Sequence, residues 1–233
     1  MNQLPDWLTA ACDRLRSRDT EPWDADEDMG DEFLRTTTTG ELVTAFFNNA
    51  DTRAAHVQLS WLLMFAARRA LPCWQLYCDT TEPIDTVSAI RDWLVDDKPS
   101  DWSKFTLPAK PSNRGVRIVD CRECDTGCVA DAAALAARFI AEGDPICAVC
   151  ALSDADAAFD QSPLGSHGDY RKWFIEVALP AAHGLRELTA DEQTAFQNYK
   201  VDDVIEQRAT MPDNRTLAQR AIGFWTRKRR LPR

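Results

Sequence analysis

The sequence predicts an all-α fold of about nine to eleven helices, on two kinds of periodicity and on the scarcity of strand signals. The run Val57 to Ala67 holds only two polar residues, Gln58 and Ser60. A helix apolar on nearly every side has to be surrounded by other helices. From Ile84 to Leu94 the apolar residues Ile84, Val87, Ile90, Trp93 and Leu94 recur at three and four, with Asp85, Ser88, Arg91 and Asp92 between them. That is an amphipathic helix, and its stripe is expected to pack on the helix at 57–67. Together, 53–94 form the hairpin around which the other helix pairs are expected to gather, in a stack that allows a solenoid-like order. Val116–Val119 is at most a minor β element, since a lone strand has no partner.

Taken in order, residues 5–16 predict a first helix, with Leu4, Trp7, Leu8, Ala11 and Leu15 on one stripe and Pro5 at its start. Residues 19–32 carry eight acids. Asp24, Asp26 and Asp28 are spaced like the start of a calcium loop, but Met29 stands where the glycine belongs and Arg35 where the bidentate glutamate belongs. The stretch therefore reads as a solvated acidic loop. Leu42 to Phe47 begin a helix that Asn48-Asn49 ends, and Asp51-Thr52 can cap the central one. Pro72 is expected to end or kink that helix, closed by Arg68-Arg69, with Cys73 to Tyr77 as a short second segment. Pro83 suits the first turn of the next.

Prolines at 99, 108 and 111 mark a connector at 99–114 between an N-terminal helical part, 1–98, and a C-terminal helical part, 115–233, in one compact unit. Val129 to Glu142 predicts an alanine-rich helix ending at Gly143. Asp144-Pro145 starts another through Leu152, and Ser153-Asp154 can cap a further short one. Residues 161–168 read as a loop, and Tyr170 to Leu179 as a helix ended by Pro180, with Trp173, Ile175 and Val177 inward and His183 at a helix end beyond it. Thr189 and Glu192 make a capping box, with Phe196 and Tyr199 on the helix behind it. Leu217 to Trp225 predicts a last amphipathic helix.

The chain of 233 residues is 45% hydrophobic and carries a net charge of −10. Residues 215–233 hold seven cations and no acid, which leaves about −17 on residues 1–214. Such a body repels nucleic acid and attracts basic partners. Only the tail, through Arg227, Lys228, Arg229 and Arg230, with Trp225 beside it, suits phosphates. No run is long enough for a transmembrane helix, and the first residues lack the basic start and apolar core of a secretory signal. A cytoplasmic protein with no membrane partner is expected, and its eight cysteines are then thiols or metal ligands rather than disulfides.

Chemistry has few footholds. Cys121-x-x-Cys124 and Cys147-x-x-Cys150 form two pairs with the pattern of a structural zinc site, and Cys128 is a spare ligand. Against this, the second pair lies in an apolar helical run, Pro-Ile-Cys-Ala-Val-Cys-Ala-Leu, where buried free thiols are ordinary. No cofactor is the expectation, with zinc the alternative. Cys12, Cys73 and Cys78 read as core. His167, in Gly165-Ser166-His167-Gly168-Asp169, has a carboxylate partner in Asp169 and is a candidate for acid–base work. No nucleophile elbow, phosphate-binding glycine loop or His-Glu-x-x-His occurs. A protein that is not an enzyme is the first expectation. A zinc-stabilised regulatory or nucleic-acid-binding adaptor comes second, and a hydrolase at His167 third.

Leu71, Pro72 and Trp74, followed by Pro83, Ile90, Arg91 and Trp93, carry a resemblance. Over residues 55–150 the chain resembles the all-helical predicted immunity proteins of bacterial polymorphic toxin systems. That family pairs a helix ending in a leucine-proline step and an aromatic with a proline-started helix bearing Ile, Arg and an aromatic. The alanine-rich helix at 129–142 suits it too. The resemblance implies a non-enzymatic cytoplasmic protein that binds and blocks one toxin. An acidic body fits a basic target.

Overall fold

A computed structural model describes residues 4–17, 37–77, 81–105, 121–159 and 166–197, with the side chains of 76–77 and 121–126 left out. Among these residues every regular element is a helix. The all-α expectation holds. The minor β element allowed at Val116–Val119, the acidic run at 19–32, Cys78, Tyr199 and the basic tail lie outside the described residues.

Local chemistry sets the helix starts. α1 (Asp6–Ser17) buries Leu8, Ala11, Cys12 and Leu15 as one stripe. In α2 (Thr38–Asn49) the Thr37 hydroxyl accepts from the Gly40 N–H at 3.0 Å. In α3 (Thr52–Tyr77) the Asp51 carboxylate accepts from the N–H groups of Arg53 and Ala54, the cap expected at that position. α4 (Glu82–Asp96) has Pro83 in its first turn and ends with Asp97 in the left-handed region, φ 51°. A single 3-10 turn follows at Trp102–Lys104. α5 (Cys121–Glu142) ends at Gly143, whose φ of 72° is open to glycine at no steric cost. Asp144 caps α6 (Pro145–Ala157) by accepting from the Ile146 N–H at 3.0 Å.

Pro72 does not end α3. It removes one backbone donor, a local cost of about 3 kcal/mol in a helix interior. The helix runs on because Ala70, Cys73 and Trp74 on either side of it are buried, and packing outweighs that local cost. Arg69 accordingly lies inside the helix and is buried, rather than closing it at the surface.

α3 is the hub. It packs against α2, α4, α5 and α6, and against the later helical stretch at 174–183. Trp61 and Phe65 touch on its flank, ring centroids 5.5 Å apart. The stripe of α4 buries Val87 and Ile90, and α4 packs on α3 as its periodicity requires. α5 and α6 turn back on each other across Gly143-Asp144 and make the most extensive pairing among the described helices. Alanines 130, 132, 133, 136 and 137 of α5 and alanines 148, 151 and 155 of α6 are all buried, so little side-chain bulk separates the two backbones. Buried residues from α1 to Leu188 belong to one hydrophobic cluster, with both sides of the 99–114 connector contributing.

Two boundaries differ from expectation. Ser153 and Asp154 lie within α6 instead of starting a new helix, and the Ser153 hydroxyl meets that of Thr39 from α2 at 3.4 Å in the core. Pro180 does not end the helix that contains Trp173. The path continues from α7 (His167–Trp173) through a π turn (Phe174–Ala178) into α8 (Leu179–His183), so that His183 does stand at a helix end. In a plain α-helix the ring of Pro180 would clash with the Glu176 carbonyl. Here the Leu179 N–H reaches back five residues to the Phe174 carbonyl, which widens the turn just ahead of the proline.

Candidate functional site

The most strongly polar part of the core is the corner where α6, α7 and α9 (Ala190–Thr194) meet the second half of α3. Asp156, near the end of α6, and Arg171, on α7, are both buried. Arg171 Nη2 donates to Asp156 Oδ2 at 2.7 Å and Nε to Oδ1 at 3.2 Å. His167 Nδ1 stands 3.1 Å from the same Oδ1. Tyr170, between them in sequence, is buried with its ring stacked on Phe159 and Phe174. Burial, and then the neighbouring Asp156 charge, push its phenol well above the usual range.

His167 was expected in a loop beside Asp169. It instead opens α7, and its carboxylate partner is Asp156. Asp169 serves the helix start: Ser166 Oγ donates to Asp169 Oδ2 at 3.0 Å, and the Asp169 N–H donates to Ser166 Oγ at 3.2 Å. The pairing with Asp156 is not visible in the local spacing, because Asp156 sits on the preceding helix. With Arg171 forked onto Asp156, the corner ties α7 to α6.

One turn of α3 forms the other wall. Arg69 donates through Nη1 to the Gln193 carbonyl and through Nη2 to the Ala195 carbonyl, the latter at 2.9 Å. Its guanidinium lies over the Trp173 ring, 4.9 Å from the centroid, and Trp173 Nε1 donates to the Glu192 carbonyl at 2.9 Å. The capping box of α9 forms as expected. Arg186 reinforces it, with 2.7 and 2.8 Å contacts to Glu192. Those bonds, and then the Thr189 N–H, hold the Glu192 carboxyl down at about 2. Phe196 is not on a continuing helix: it adopts φ 61°, just beyond the end of α9.

The expected metal ligands are unevenly placed. Cys121 and Cys124 fall in the first turns of α5, and their side chains lie outside the described residues. Cys147 is buried in the first turn of α6, and Cys150 is half-buried one turn on. Burial, and then the Asp144 carboxylate, push the Cys147 thiol up to about 11. A metal binding there would have to displace the thiol proton. Its charged neighbours Arg138 and Glu142 belong to the end of α5. From Cys124 to Arg138 a helix rises about 21 Å. One four-thiolate site would need the start of α5 and the start of α6 to meet, and the hairpin opposes this. Among the described side chains no group of three or more ligating residues occurs. Cys12 and Cys73 are buried, as core thiols should be. No described helix is long and apolar enough to cross a membrane.

Compared with family models, curated proteins and solved structures, the chain matches none of them.

Proposed function

We propose that the chain is a non-enzymatic protein-binding domain, an immunity-type inhibitor that neutralises a basic toxin in the cytoplasm. The observation that carries this reading is the outer face of α4. Glu82, Asp85, Asp92 and Asp96 recur along it at helical spacing, opposite the buried Val87 and Ile90. Asp97 and Asp101 extend the row beyond the helix. Lys98 neutralises one end through Asp92 and Asp96, at 3.2 and 2.9 Å. The other end keeps its charge exposed. A rigid acidic ridge of this kind steers a basic partner and fixes its register.

The test is native mass spectrometry of the protein purified from its own cytoplasm without chelator. A stoichiometric complex with a basic protein is expected, metal-free and weakened at least tenfold in the double variant Glu82→Lys, Asp85→Lys. A bare monomer, or a complex indifferent to that charge reversal, overturns the reading. A mass gain of one zinc, lost in Cys121→Ser and in Cys147→Ser, replaces it with the zinc-stabilised adaptor that acts through Arg227, Lys228, Arg229 and Arg230.

A further inference from the structure

Beside Pro72 a hollow of about 160 Å³ opens between α3 and the segment that contains α9. A cavity of about 150 Å³ holds one benzene ring. Phe65, Pro72 and Trp173 give it an apolar wall. Arg68, with Gln193, Thr194 and Gln197, lines the polar side. Phe65, Arg68 and Pro72 share one face of α3 because they are three and four residues apart.

Arg68 is the unusual member. It is half-buried, and among the described residues its guanidinium makes no hydrogen bond or ion pair. The carboxylate that acts on it, Glu187, is already held by Arg91 through Nε at 2.6 Å and Nη2 at 3.2 Å. Arg91 itself adds a like charge, and Arg69 forms the adjoining wall. Glu187 is thus shared between two guanidiniums, and its bonds go to Arg91, which also meets Asp92 at 3.6 Å. Desolvation and the Arg91 charge both weaken the hold of Arg68 on its proton, as expected for a cation short of a counter-ion. Arg68 thus faces the hollow with no carboxylate bonded to it among the described residues.

We propose that the hollow is a binding site for a small organic carboxylate, with Arg68 taking the anionic end and Phe65, Pro72 and Trp173 enclosing an apolar body about the size of one ring. The planar fork of Arg68 suits a bidentate carboxylate, and Gln193 and Gln197 are among the polar residues that line the hollow. Arg69 is the positioning residue: its bonds to the Gln193 and Ala195 carbonyls hold the far wall against α3. The site does not depend on the acidic face of α4 or on the protein-binding reading.

The experiment uses the full chain with benzoate as probe, its uncharged counterpart benzamide, and inorganic phosphate, all at matched ionic strength. Binding is read by calorimetry and located by the Trp173 indole N–H resonance. Benzoate is expected to bind saturably and shift that resonance, with benzamide and phosphate at least tenfold weaker. Arg68→Gln should weaken benzoate at least tenfold and leave the thermal midpoint of the free protein unchanged. Benzamide as good as benzoate, phosphate as good as benzoate, or no saturable shift overturns the proposal. So does full benzoate affinity in a folded Arg68→Gln protein. The three-probe comparison needs no variant, so it stands even if that substitution disturbs folding.

Discussion

The α5–α6 hairpin and the corner between α6 and α7 share a helix but are held by opposite means. In the hairpin the buried residues are mostly alanine with a few larger apolar side chains, and the turn between the helices is set by Gly143 and the Asp144 cap. In the corner a buried ion pair, a histidine and stacked rings carry the contact. The first arrangement tolerates a change of chemistry but not of size. The second tolerates a change of size better than a change of charge. Hydrophobic burial is non-directional, whereas a forked guanidinium accepts one geometry. The hairpin therefore supplies stability, and the corner sets the angle at which α7 leaves α6.

The largest effect should come from separating the ion pair. Arg171→Leu or Asp156→Ala alone should cost about 3–5 kcal/mol in urea unfolding, because each leaves a buried charge without its partner. Replacing both with leucine should restore most of the loss. If the single variants cost under about 1 kcal/mol, the corner is no more directional than the hairpin. Overfilling the hairpin comes next. Ala136 is fully buried, and Ala136→Leu should cost about 1–3 kcal/mol, since the neighbouring backbone has to move. A neutral result would mean the hairpin is looser than its burial implies. The smallest effect is acid sensitivity at the rim of the corner. Glu192 is held at about 2 against an ordinary 4.5. A depressed carboxyl stabilises the fold above its unfolded value and loses that contribution as pH falls through its folded one. Stability should therefore drop by on the order of 1–2 kcal/mol between about pH 4.5 and pH 2, allowing for screening of the half-exposed Arg186. Glu192→Gln should flatten that part of the pH profile.

Most of the architecture was legible because it rests on short-range rules. The buried run at 57–67, the stripe of α4, the Pro83 start, the Asp51 cap and the Thr189–Glu192 box each follow from residues within one or two turns. What escaped depends on distant neighbours. Whether a proline stops a helix depends on the packing around it, which is why Pro72 and Pro180 both misled. Asp156 meets His167 and Arg171 only because α7 folds back over the end of α6. The adjacent arginines at 68–69 read as the polar close of an apolar run, yet α9 and the segment after it bring carbonyl groups to Arg69. The hollow beside Arg68 had no local signature at all, since half of its lining comes from residues more than a hundred positions later.

The π turn at Phe174–Ala178 has a consequence for how this segment can change in length. It holds one residue more than an α-helical path of the same reach. Removing that residue would restore ordinary spacing upstream of Pro180 but swing everything after it by about 100° around the axis. The carbonyl of His183, now facing Gln58 Nε2 at 3.1 Å, would turn away from α3. The surplus residue thus acts as a phase setting for the chain beyond it. A one-residue deletion within these five residues should therefore be poorly tolerated.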